Sequence, residues 1–224
     1  MLFLLGDGWL LLGSAVGLLV GTVAHHVVQA QVAARLGDRM AVAAGRANPD
    51  PRRHVDPFGV VVMLIANPPV GWGKPVPLQE PRFRSRGRYT AILAAGPLTN
   101  LLLAVGFLAA FAASGGRVGD GGFLVGAEPA TQLLGVAALV NAGIAVLHCL
   151  PLPPLDAARV LWAYAPRTEG WRKARYHLEE QNWGLGILIV LLLPLFASNQ
   201  GLLLRVVLAV VRPLLEALAP LVGA

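Results

Sequence analysis

Gly13-Ser14-Ala15-Val16-Gly17-Leu18-Leu19-Val20-Gly21-Thr22-Val23-Ala24-His25-His26-Val27-Val28-Gln29-Ala30 is the stretch that decides the fold. With its flanks, from about Gly8 to Leu36, it exceeds the roughly 20 apolar residues a helix needs to cross a bilayer. Gly13, Gly17 and Gly21 form a double G-x-x-x-G, a spacing that lets another helix approach closely in lipid. The same four-residue step continues to His25, Gln29 and Ala33, so one helical face turns from a packing groove into a polar patch. Such groups could simply hydrogen-bond a neighbouring helix. Their cost at membrane depth makes a functional site the default expectation.

The composition agrees. Of 224 residues, 56% are hydrophobic and 13% charged, where a soluble domain carries about 25% charged. In lipid a chain must satisfy its own backbone hydrogen bonds. The expected fold is therefore an all-α membrane protein, a polytopic helical bundle of about 4–6 membrane segments forming one domain over 1–224. The first segment is not expected to be a cleaved leader, because it lacks a basic start, is too long and runs into the histidine pair. The single Cys149 excludes an internal disulfide and a Cys-rich metal site. The net charge of +6 resides in loops beside the apolar segments. That pattern marks cytoplasmic loops and anionic lipid headgroups rather than nucleic acid.

Outward from the first segment, Gly37 is placed as a left-handed cap, and the proline-rich loop 48–57 should be stiff and extended. Phe58 to Val70 is short for a crossing and ends at Pro68-Pro69, so a re-entrant or extended piece is expected around 58–80. Its flanks agree: 35–56 carries five Arg, and 72–88 one Lys and four Arg, including Arg82 and Arg84. A third segment, about Tyr89 to Ala113, contains Gly96-Pro97. The kink there should free carbonyls for Thr99 and Asn100 to satisfy. The Gly-rich loop 114–130 is expected outside. Thr131 to Leu150 leads into Pro151-Leu152-Pro153-Pro154-Leu155-Asp156. Trp183 to Ala197 and 202–222 follow as membrane or interfacial helices. On the last, Arg205, Arg212 and Glu216 share a narrow face, either at the membrane surface or inside the bundle. The chain is thus expected in the cell membrane, multi-pass, with its N-terminus outside and basic loops 35–56, 72–88 and 157–182 cytoplasmic. His25 and Asp156 then lie at similar depth.

These strings resemble the site-2 protease family of intramembrane zinc metalloproteases, its small bacterial members without a PDZ domain in particular, over about residues 15–165. His25-His26-Val27-Val28-Gln29-Ala30 stands where the family has H-E-x-x-H-A. Asn48-Pro49 with His54-Val55-Asp56-Pro57-Phe58-Gly59 is similar to its N-P-x-x-H-x-D-P-x-G loop with one residue inserted. Gly71-Trp72-Gly73-Lys74-Pro75-Val76-Pro77, Ala95-Gly96-Pro97-Leu98-Thr99-Asn100 and Leu150-Pro151-Leu152-Pro153-Pro154-Leu155-Asp156 resemble three further family strings in the family's order.

The resemblance implies that His25 and Asp156 are zinc ligands. Gln29 replaces the second His, and an amide oxygen is a poor zinc ligand beside imidazole. His26 replaces the general-base Glu. His148 stands where the family usually has Asn. A rebuilt zinc site could use His25, Asp156 and one of His26, His148 or His54. His26 lies about 100° round the helix from His25, which makes a shared ion awkward for that pair. Trp72, Lys74, Pro75 and Asn100 are candidates for substrate contact. For Trp72 the alternative is an interfacial anchor, and for His54 a contact with Asp56 that braces its loop. Three functions follow: a pseudoprotease that binds transmembrane segments or a partner protein without cutting, an active zinc protease with substituted ligands, or a transport or lipid-binding protein on a borrowed scaffold.

Overall fold

Helix α1 (Gly8–Arg35) begins at Asp7, whose carboxylate accepts from the amides of Trp9 and Leu10. It ends where Gly37 takes φ +104°. There the Asp38 amide reaches back to the Ala33 carbonyl at 2.9 Å and the Gly37 amide to Ala34 at 3.2 Å, a Schellman closure that a glycine favours. The computed structural model describes residues 7–66, 69–79, 85–194 and 200–224. The expectations attached to Pro68, Arg82, Arg84 and residues 195–199 lie outside that set.

Two further long helices pack on α1: α4 (Arg86–Ala113) and α5 (Pro129–His148). Among the described residues, these three are long and apolar enough to cross a membrane. The glycine stripe explains their arrangement. Gly13 lies against Leu133, Gly17 against Ala137 and Gly21 against Asn141, in matching register, so α1 and α5 run parallel. Gly21 and Gln29 meet Asn100 and Leu93 in the reverse order, so α4 runs antiparallel. The outward faces carry Leu12, Leu19, Leu98 and Leu102, exposed as lipid-facing residues are.

Between α1 and α4 lie the short α2 (Met40–Ala43) and α3 (Pro57–Ile65). Asp56 caps α3, whose nine residues are too few to span a bilayer. The chain doubles back beyond it. Trp72 lies against Gly59, and Val55 bridges Gly73. The excursion thus returns to the level where it began, as a re-entrant segment must. Residues 73–79 then run extended and are pinned by side chains. Arg46 donates to the Lys74 and Pro75 carbonyls, Arg159 to that of Val76, and Asp38 accepts the Gln79 amide.

The loop after α4 is not wholly irregular. β1 (Arg117–Gly119) and β2 (Phe123–Val125) form an antiparallel hairpin whose turn uses Gly121 and Gly122 at positive φ. After α5 come α6 (Asp156–Tyr164), α7 (Glu169–Arg175), α8 (Trp183–Leu192) and α9 (Leu202–Val222). α9 buries Leu204, Val207, Leu208, Val211 and Leu215 against the bundle. Arg205 and Glu216 point outward, while Arg212 lies over the Phe123 ring at 4.4 Å. The charged face is therefore not turned into the bundle.

Candidate metal centre

His25 is brought to Asp156 by the parallel pairing of α1 and α5, since α6 begins at Asp156 just beyond the α5 end. One carboxylate oxygen, Asp156 Oδ2, lies 2.8 Å from His25 Nε2 and 2.9 Å from His148 Nδ1. All three residues are buried, and their ligand-type atoms lie within 4.8 Å of one another. Tetrahedral zinc holds its donors roughly 3.3 Å apart, so small side-chain shifts would bring the three onto one ion. Of the substitutes open to the sequence reading, His148 is the one beside Asp156. His26 lies edge-on to the His25 ring at 4.9 Å and parallel to the His54 ring at 5.8 Å, outside the three-residue group.

A chain of amides orients His25. Asn141 Nδ2 donates to the carbonyls of Gly17 and Ala137, so its Oδ1 must accept, and does, from Asn100 Nδ2 at 3.2 Å. Asn100 Oδ1 is then left for His25 Nδ1 at 2.6 Å. This makes Nδ1 a donor and leaves Nε2, the atom facing Asp156, as the nitrogen able to ligate. The donor set therefore suits a divalent metal. Gly96 makes room, because a Cβ there would collide with the His25 ring.

Gln29 has a different occupation. Pro97 has no amide to give Leu93, four residues earlier, and Gln29 Nε2 donates to that freed carbonyl at 3.1 Å. The sequence expectation assigned this work to Thr99 and Asn100. Thr99 bonds Ala95 within its own helix, and Asn100 holds His25. Gln29 Oε1 is buried without a protein partner.

The other candidates are dispersed. Asn100 is fully buried and touches His25 and Asn141. Trp72 is 1% exposed, which removes it from an interfacial role. Lys74 and Pro75 are exposed, but their carbonyls are already taken by Arg46. His54 bonds the Asn48 carbonyl through Nε2, while Asp56 caps α3, so the expected His54–Asp56 contact is not formed. Burial pulls the His54 imidazole below its ordinary pKa, partly offset by that hydrogen bond. Asn141 was missed in sequence. Its signal was a carboxamide in the middle of an apolar segment.

A protein of Bacillus subtilis (strain 168) named "Putative zinc metalloprotease YwhC" is 30% identical over 211 residues, covering 88% of this chain and 92% of that protein. No protein-family model matches the chain. No solved structure matches it either.

Proposed function

The chain belongs to the zinc metalloprotease-like family of that Bacillus subtilis relative, and from this premise we propose a membrane-embedded pseudoprotease of the site-2 protease type. It keeps a rebuilt metal centre and holds transmembrane segments or a partner protein without hydrolysing them. The observation that supports this best is Asp156 Oδ2 flanked by His25 Nε2 and His148 Nδ1. Three protein ligands are what a catalytic-type zinc site uses. Zinc would supply Lewis acidity when bound. His25, His148 and Asp156 would hold it, and the Asn141–Asn100 relay keeps His25 in the ligating tautomer. The proton-transferring carboxylate has no counterpart. Among the described residues, no Asp or Glu other than Asp156 joins the cluster. Asp156 would itself be a ligand, and the base position carries His26, an imidazole whose ring lies 4.9 Å from that of His25 and 5.8 Å from that of His54. Peptide hydrolysis needs a base within hydrogen-bond reach of the attacking water.

Detergent-purified protein should carry stoichiometric zinc that His25→Ala and His148→Ala each remove and Gln29→Leu does not. It should leave a transmembrane reporter peptide intact. Absence of zinc overturns the metal centre. Reporter cleavage that Asp156→Ala abolishes overturns the pseudoprotease reading.

A further inference from the structure

Away from the histidine cluster, a cavity of about 740 Å³ opens where the start of α4 meets α6 and α7. Arg86, Arg167, Arg172 and Arg175 line it with Trp162 and Trp171. Glu169, the carboxylate in this lining, is paired with Lys173 at 2.8 Å. Arg175 is engaged by Glu179 at 2.9 Å, and Arg86 lies over the Tyr164 ring at 5.6 Å. Arg167 and Arg172 form no ion pair with a described carboxylate and are exposed. The cavity thus keeps an excess of cationic donors.

Two more features point the same way. The cavity lies at the N-terminus of a 28-residue helix. Ser85 caps the Arg88 amide there, while the amides of Arg86 and Gly87 have no intrahelical acceptor. The two indoles pack edge to face at 6.2 Å and supply an apolar wall. At 1.5 Å per residue α4 is about 42 Å long against a hydrocarbon core of about 30 Å, so its first turn reaches the headgroup layer.

We infer that this cavity binds a phosphate group, borne by an anionic lipid headgroup or by a free phosphate solute, with the phosphate on Arg167 and Arg172 and any apolar part against Trp171. The guanidinium fork matches phosphate oxygens two at a time. An indole suits a site that is wet on one side and greasy on the other.

The test is a titration of the full chain in detergent with short-chain phosphatidylglycerol, short-chain phosphatidylcholine and inorganic phosphate, read by tryptophan fluorescence. Phosphatidylglycerol should give a saturable change that disappears in Trp171→Phe. Its affinity should fall about tenfold or more in the double variant Arg167→Ala, Arg172→Ala, since both guanidinium contacts to the phosphate are lost. Arg167→Gln alone, with an unchanged melting temperature, should give an intermediate loss. Response to phosphatidylglycerol alone assigns the lipid source, and displacement by inorganic phosphate assigns the free one. Equal affinity in wild type and double variant, equal response to phosphatidylcholine, or no saturable response to either anion overturns the inference.

Discussion

Asn141 touches no candidate ligand, yet it controls His25 through Asn100. Replacing it with Leu frees the Asn100 amide to turn and present Nδ2 to His25. Loss of such an outer partner costs about 10–100-fold in metal affinity. A cobalt titration followed by its visible spectrum checks this, and an unchanged affinity for Asn141→Leu would sink the orientation argument. Gln29 permits a sharper test. Gln29→Leu strands the Leu93 carbonyl and should cost about 1–3 kcal/mol. In a Pro97→Ala background the new amide satisfies Leu93 from within α4, so the same substitution should cost much less. Thermal unfolding of the four proteins closes the cycle. Equal costs in both backgrounds would mean that Gln29 does not serve that carbonyl. The stretch from Gly13 to Ala30 displayed the polar residues without revealing these partners. Gln29 reads as a failed ligand until Pro97 is seen beside it, and Asn141 reads as an isolated amide until Asn100 is.

Among the elements, α1 and α5 approach closely enough at Gly13 and Gly17 for backbone to meet backbone. A Cβ at Gly17 would press on the Ala137 backbone, which cannot yield without parting the helices. Gly17→Val should therefore destabilise by about 1–3 kcal/mol. Gly106→Val, where nothing lies within 4 Å, should stay within about 0.5 kcal/mol. Melting in detergent distinguishes them, and equal effects would deny the close approach. This contact was legible in sequence, because a four-residue glycine step is a local pattern with a direct geometric meaning. The re-entrant piece was legible for a similar reason: the apolar run from Phe58 to Val70 is short for a crossing and has basic stretches on both sides. The hairpin at 117–125 was not. Its strands are three residues each and depend on α9, whose Arg212 sits on Phe123.

For the whole molecule, the parallel run of α1 and α5 places the α1 end, the 40–56 loop and α6–α7 at one end of the bundle, and the hairpin at the other. In a Cys149→Ser background, Glu128→Cys should react with an impermeant thiol reagent in intact cells. Arg52→Cys should react only after permeabilisation. The reverse pattern would invert the orientation, and labelling of both from one side would contradict the fold. The membrane class, the long helices and the meeting of His25 with Asp156 at one depth follow from the sequence by itself, because apolar run length and loop charge are local quantities that the bilayer reads directly. Which third residue completes the cluster, what Gln29 does and where the arginine cavity opens were decided only by tertiary structure. Those answers depend on which face each helix turns to its neighbour and on which backbone carbonyl a proline has left without a donor.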